Sequence, residues 1–412
     1  MKKTVSVFIL LFVLFLAYTS LQFVDLATAN FLPPPPPTVH VYIRADGTVD
    51  PATTPIERFG DVYVFAGNLL NHTVEVQRDN IVVDGAGFTL KGVGVNAGVT
   101  LSGRKNVTIK NVDIRNYVMS VWLQQSTNNT ISDNRMLTAF NVILDSSSNN
   151  QITGNSITGQ DTGYGYGVQV NSGSSKNTIL GNSFTDTGIG VRVEGGDYNL
   201  ISGNCFIRGG TSVLVRGFYN IISKNNMVDG TGGISVTGPG SYNTIFGNNI
   251  TGKTKCGIKI YHGSSNTVYE NYVANSAVGV KLGFDHEFPD RKVENNIFYH
   301  NNFVNNTQYV FIGYVPDSNF WNNGEKGNYW SNYKGTDNNG DGIGDTPYII
   351  NENNKDYYPL MEPLEIPEPE IPDTVPEFPS WTPLLIILLA VMAVAIIYRR
   401  KLRNTNHGRS VK

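Results

Sequence analysis

The chain has 412 residues, of which 40% are apolar and 16% charged, and its formal net charge is −3. So small a charge, with no basic stripe interleaved with aromatics, excludes a nucleic-acid binder. The 43 glycines, with abundant Asn, Ser and Thr, point away from long helices and towards turns.

In chain order, Met1, Lys2 and Lys3 precede an apolar run over residues 5–18, and Ala27-Thr28-Ala29 offers a cleavage site. This pattern predicts a secretory signal over residues 1–29. Residues 30–79 read as a leader and N-terminal cap, opening on a proline run. The repeat described below spans 80–315, and 316–361 form a C-terminal cap with an Asp/Asn-rich loop. A Pro/Glu-rich stretch over 362–380 predicts a stiff spacer. Residues 382–398 are seventeen uncharged, mostly aliphatic positions edged by Trp381 and Tyr398. Arg399, Arg400, Lys401 and Arg403 follow at once. This predicts a transmembrane helix over 381–398 with a cytoplasmic tail over 399–412 and the body outside. Sequons at Asn71, Asn106, Asn128, Asn249 and Asn305 suit an exported surface.

The body is governed by one recurring segment: Asn129-Thr-Ile-Ser-Asp-Asn134, Asn150-Gln-Ile-Thr-Gly-Asn155, Asn177-Thr-Ile-Leu-Gly-Asn182 and Asn199-Leu-Ile-Ser-Gly-Asn204. It continues through Asn220, Asn243, Asn266 and Asn296. Steps are mostly 21 to 23 residues, lengthened to 27 and 30 by insertions near Tyr164 and Phe284. Two residues past each second asparagine stands an apolar side chain, such as Ile157, Phe184 or Phe206. An alternating pair, such as Val191/Val193 or Val213/Val215, lies upstream. Period-two alternation means short strands with one face inward. No single coil carries enough apolar surface to fold alone, so equivalent coils must stack. The expected fold is an all-β, right-handed parallel β-helix of about ten coils. The recurrent asparagines fall on the inward parity. Either their amides bond the turn backbone and the next coil's asparagine, or they are there for their tolerance of left-handed backbone. Cys205 and Cys256 hold different places in coils roughly 10 Å apart along the axis, beyond disulfide reach, so two free thiols are expected, Cys256 beside the core.

Tyr198, Tyr219 and Tyr242 each precede a ladder asparagine in successive coils. An outward aromatic stack is expected there, which could hold sugar rings, with Phe218 and Tyr261 widening the patch. Arg192, Arg216 and Lys259 give the Val/Leu strands a mildly basic outer face that would attract an acidic glycan. Adjacent coils show no stacked carboxylate pair of the kind glycoside hydrolysis needs; Asp186 and Asp229 are two coils apart. Asp285, His286, Glu287 and Asp290, in the second insertion, are the weak catalytic candidates. Asp337, Asn339, Asp341, Ile343 and Asp345 place oxygens at alternating positions, as in the first half of a calcium loop, without the glutamate at its end. Such a site would close the open end of the solenoid.

The coils resemble the parallel β-helix repeats of the pectin-lyase-like superfamily, and in particular the NosD-type domain, from residue 80 to residue 356. The segments 41–50, 328–333 and 340–348 resemble those of archaeal surface members. The resemblance implies the fold; among its activities are polysaccharide lyases, hydrolases, epimerases, adhesins and copper-site maturation. Sparse methionine, separated cysteines and single histidines fit copper poorly. Pro376-Glu377-Phe378 before the apolar run resembles a sorting signal for an archaeosortase-type enzyme. Together these readings describe a membrane-anchored surface protein that binds a cell-surface or extracellular polysaccharide or builds the envelope, with a polysaccharide-processing enzyme as the alternative.

Overall fold

The computed structural model describes residues 37–160, 164–283, 293–313 and 319–366. The chain divides into a unit Met1–Thr38, nearly all of it outside the described residues, and a unit Val39–Lys412 that carries every strand below. The expected signal, most of the spacer and the apolar 381–398 segment lie outside the described residues. Among those described, no helix is long and apolar enough to cross a membrane.

Three sheets of thirteen, twelve and twelve strands wind around one core, each strand paired in parallel with its copy one coil away. Sheet A carries the Val/Ile pairs in strands such as Ile189–Glu194, Thr211–Arg216, Gly232–Val236 and Cys256–Ile260. Sheet B carries the Asn-x-Ile segments, and sheet C the residues after the second asparagine, such as Cys205–Ile207. Register follows the repeat residue by residue: Val191 pairs Val213, Ile201 pairs Ile222, and Phe206 pairs Met227. Like side chains therefore stack in the core, where Phe184 and Phe206 lie parallel at 4.7 Å. Gly190 makes room for that pair, since a Cβ there would fall 2.4 Å from the Phe206 ring.

The parallel ladder starts before Asn80. Val39–Ile43 pairs in parallel with His72–Val76, and Val62–Phe65 with Ile81–Asp84. These early coils lack the asparagine signature and are held by apolar residues such as Val41, Ile43, Val74 and Val76. Antiparallel pairing of Val39–Ile43 with Val49–Asp50, and of Ile56–Phe59 with Val62–Phe65, occupies the strand edges at this end.

The asparagines form two buried columns. In one, Asn204 Oδ1 accepts from the backbone N–H of Asn182 at 2.9 Å and from its Nδ2 at 3.0 Å. Asn204 Nδ2 then donates to Ile179 O at 2.9 Å, to Ser202 O at 3.0 Å and to Asn225 Oδ1 at 3.0 Å. The pattern repeats coil by coil. The ladder asparagines are not left-handed: positive φ belongs to the residue just before each, such as Asn128, Asn149, Lys176 or Asp133. The asparagine side chain is thus a buried hydrogen-bond device, not a backbone concession.

At the C-terminal end the column passes from Asn301 to Asn328 and stops at Asp356. That carboxylate accepts from Asn328 N at 2.7 Å, Trp330 Nε1 at 2.9 Å and Tyr358 N at 3.1 Å. Burial pushes the Asp356 carboxyl up to about 6 while these donors pull it down. Trp321 and Trp330 stack on Phe298 and Phe303 at 4.6 Å and seal the core. Closure of the core is therefore aromatic, and the exposed 337–345 loop is bonded to the segment over it through Gly344 N to Pro359 O and Met361 N to Gly342 O.

Lys253 is only 1% exposed and follows Gly209 and Gly230 at the same turn of successive coils. Its ammonium donates to the Asp229 backbone carbonyl. Burial lowers its pKa to about 8, with the Asp229 carboxylate opposing.

Candidate functional site

Tyr198, Tyr219 and Tyr242 stand at the turn before three successive ladder asparagines, with φ of 58°, 57° and 59°. In other coils that turn holds Asn106, Asn128, Asn149 or Asn295. A bulky residue held in this region costs on the order of 1–3 kcal/mol. Stacking offsets part of this: the rings lie parallel at 5.0 and 5.1 Å, as the repeat predicts. They remain 56%, 45% and 52% exposed.

A second column was not read from the sequence. Phe246, Tyr269 and Tyr299 end strands Thr244–Phe246, Thr267–Tyr269 and Ile297–Tyr299, and stack at 5.1 and 5.3 Å. Their signal was present in Asn-Thr-Ile-Phe, Asn-Thr-Val-Tyr and Asn-Ile-Phe-Tyr, but earlier coils fill that position mostly with Ser, Thr or Leu. The columns share one coil, where Tyr242 and Phe246 flank Thr244. Together they mark an aromatic track running obliquely across sheet B.

The basic face is differently organised. Arg192 and Arg216 clasp Glu194 from two coils, at 2.7 and 2.6 Å. Arg192 also donates to the Tyr166 hydroxyl at 2.6 Å and lies 4.8 Å from that ring's centroid. Arg208 bonds Asp186 through two nitrogens, at 2.8 and 2.7 Å, and holds that carboxyl below its ordinary value. These carboxylates are engaged by arginine, and Asp229 lies one coil beyond Arg208. Asp285, His286, Glu287 and Asp290 lie outside the described residues.

Lys259 belongs to another environment, a cleft of about 260 Å³ on the outer face of sheet A. Its lining includes Gly232, Ser235, Lys255, Cys256, Lys259 and Lys281. The Lys259 ammonium sits 4.2 Å from the Tyr261 ring centroid, so Tyr261 lines this cleft. Cys256 is 6% exposed but lies outside the core cluster, as does Cys205, and both thiols are free. Cys256 opens the strand Cys256–Ile260 and lines the cleft. Burial pushes its thiol up to about 11, against the pull of Lys259 and Lys281.

In the 337–345 loop, Asp337 accepts from the backbone of Gly340 at 2.7 Å and Gly342 at 2.8 Å. Asn339 accepts from Asp341 N at 3.1 Å, and Asp341 from Ile343 N at 2.8 Å. Asp345 takes both nitrogens of Asn338, at 2.9 and 2.6 Å. The loop is thus a chain of Asx turns.

The model of the family described as periplasmic copper-binding protein (NosD) matches residues 61–218 and 208–335. The chain belongs to the NosD family. It is a parallel β-helix protein of that family, whose described periplasmic location accords with an exported body. Over 110 residues it is 32% identical to a 3-dehydroshikimate dehydratase of Acinetobacter baylyi, covering 26% of this chain and only 20% of that protein. Among solved structures it is similar to a tailspike protein mutant of E. coli bacteriophage HK620 in complex with pentasaccharide. Identity there is 13%, TM-score 0.38, with 65% of this chain and 48% of that chain covered. It is also similar to an exopolygalacturonase of Thermotoga maritima, at 11% identity and TM-score 0.47, with 64% and 83% covered. The chain thus spans about half of that tailspike chain and a fifth of the dehydratase.

The NosD description implies copper, and the donors among the described residues do not fit it. Cys205 and Cys256 lie in different sheets with thiols raised by burial. Met136 and Met227 are sealed in the core, and no three of His, Cys, Asp or Glu gather. A soft cation would meet no clustered sulfur or imidazole here.

Proposed function

We propose that this NosD-family protein is a membrane-anchored surface β-helix that binds an extended glycan without cleaving it. The observation that carries the reading is the aromatic track over Tyr198, Tyr219, Tyr242, Phe246, Tyr269 and Tyr299. Sugar rings pack their apolar faces on aromatic platforms and use hydroxyl edges for hydrogen bonds. Three half-exposed tyrosines kept in a strained conformation that asparagine would fill more cheaply support a role for the side chain itself. The engagement of Glu194 and Asp186 by arginines supports binding over catalysis.

The test is a glycan array probed with full-length, detergent-solubilised protein, wild type beside Tyr219→Asn. Asparagine relieves the backbone strain while removing the middle ring, so the variant should melt close to wild type. Its affinity for any glycan bound should fall about tenfold, a loss of roughly 1.4 kcal/mol. Binding unchanged in Tyr219→Asn would sink the track. Release of reducing or unsaturated ends from any polymer would instead mark a polysaccharide-processing enzyme.

The proposal includes a weak calcium site at Asp337, Asn339, Asp341, Ile343 and Asp345. It is supported by oxygens at alternate positions on a glycine-bearing loop. Adding a calcium chelator should lower the melting midpoint by a few degrees, and excess calcium should restore it. A midpoint indifferent to both removes calcium from the reading.

A further inference from the structure

Five asparagines stand two residues before a threonine: Asn71, Asn106, Asn128, Asn249 and Asn305. Asn-x-Thr is the acceptor motif for N-linked sugar in exported chains, and the bulky product needs a surface position. The fold sorts the five. Four are corner residues, with φ of 61° at Asn71, 54° at Asn106, 57° at Asn128 and 49° at Asn305, a conformation asparagine tolerates better than most residues. Asn106 and Asn128 stand just before the sheet B strands Val107–Lys110 and Thr130–Ser132, in successive coils. Asn71 immediately precedes the sheet A strand His72–Val76, and Asn305 immediately follows the sheet C strand Asn302–Val304. Asn106, Asn128 and Asn305 are exposed and Asn71 is half-buried. Asn106 Nδ2 donates to Asn80 Oδ1 at 2.7 Å. An amide nitrogen carries two hydrogens and keeps one after a sugar is attached, so this bond can survive the modification. Along the same corner, Asn149 and Lys176 separate Asn128 from Tyr198, which puts that attachment point about 14 Å short of the tyrosine column.

Asn249 is placed differently. It is the first residue of the strand Asn249–Thr251 and lacks the corner conformation. Its Oδ1 is buried, and its Nδ2 donates to Asn226 Oδ1 at 3.2 Å. Asn226 is itself only 5% exposed. A sugar on the Asn249 nitrogen would have to enter a packed layer between strands roughly 4.8 Å apart.

We infer that Asn71, Asn106, Asn128 and Asn305 carry N-linked oligosaccharides and that Asn249 does not. In the transfer, the asparagine Nδ2 forms a bond to the anomeric carbon of a lipid-phosphate-linked oligosaccharide. The bond from that carbon to the phosphate oxygen breaks, the lipid phosphate leaves with the electron pair, and the proton lost by the amide passes to a base on the transferase. The inference rests on the exported body of the proposed function and not on glycan binding by the tyrosine track.

Glycopeptide mass spectrometry of the full-length protein, purified from the membranes of its own source cells, tests it. The four corner peptides should carry a sugar mass, and the Asn249 peptide should run at its plain mass. Thr108→Val and Thr130→Val remove the sequon hydroxyl but keep the corner asparagine and a β-branched residue in the strand. Each should lower the intact mass by one oligosaccharide, whereas Thr251→Val should change it only by the substitution. Sugar on Asn249, or a wholly bare peptide at any of the four corners, would overturn the sorting. Protease treatment of intact cells separates the two readings. Bare corners on a body that the protease cuts would defeat the inference alone, and bare corners on a protected body would defeat the exported body with it.

Discussion

Replacing Asn204 by alanine is expected to cost about 2–6 kcal/mol. The substitution orphans the buried Asn182 backbone N–H and takes the Asn204 donor from the Ile179 carbonyl, while Asn182 Nδ2 keeps Ile152 O and Leu180 O. Each stranded group costs about 1–3 kcal/mol when water cannot reach it. Because a solenoid is held by nearest-neighbour interfaces, the damage should be local. Amide exchange should quicken in the coils around Asn182, Asn204 and Asn225 and stay slow in distant ones. Asn149→Gly is the control. Asn149 is exposed with φ of 58°, a conformation glycine adopts freely, so its replacement should change stability by about 0.5 kcal/mol or less. Urea unfolding that ranks the two variants equally would refute the ladder as a source of stability.

Lys253→Met is expected to stabilise the protein at neutral pH. The folded-state pKa is about 8 against the ordinary lysine value of 10.5. Above pH 10.5 the amine is neutral in both states and burial of the charge costs nothing. As pH falls through 8 the folded protein must charge a buried amine, and the full cost of about 3 kcal/mol is present below that point. Wild-type stability should therefore rise between pH 8 and 10.5, and the methionine variant should lose that slope. Methionine fills similar volume but gives up the bond to the Asp229 carbonyl, worth about 1 kcal/mol. The net gain at pH 7 should be about 2 kcal/mol, read by urea unfolding at several pH values. A variant less stable than wild type at pH 7 would show that the ammonium is well accommodated.

The parallel β-helix was legible because one coil repeats often enough to declare its own period. The inward parity of Asn-x-Ile-x-x-Asn made the ladder readable too, since a buried amide must find partners. What parity left open was which residue bends left-handed, and that is the one upstream. The coils before Asn80 lack the Asn-x-Ile-x-x-Asn segment, so only Val74/Val76 alternation marks them. The tyrosine column was legible because three identical residues share one repeat position. Phe246, Tyr269 and Tyr299 escaped notice because the same position is polar or aliphatic in most earlier coils. The sheet A cleft has no motif: it arises where Gly232 stacks between Thr211 and Cys256, a juxtaposition that exists only across coils. The pairing of Glu194 with two arginines depends likewise on long side chains reaching between turns. Lys253 reads as a surface cation, and its burial shows only once the coils are stacked.

The amide column that ends on Asp356 has a direction. Each Nδ2 gives one N–H to the following coil's Oδ1 and another back to a carbonyl of the coil before, so only the amide-to-amide bonds run one way. An asparagine in the last place would bring an N–H into a fully buried position that already receives three donors. A carboxylate receives without passing anything on. Asp356 thus acts as a terminator, an acceptor that closes the amide column inside the molecule.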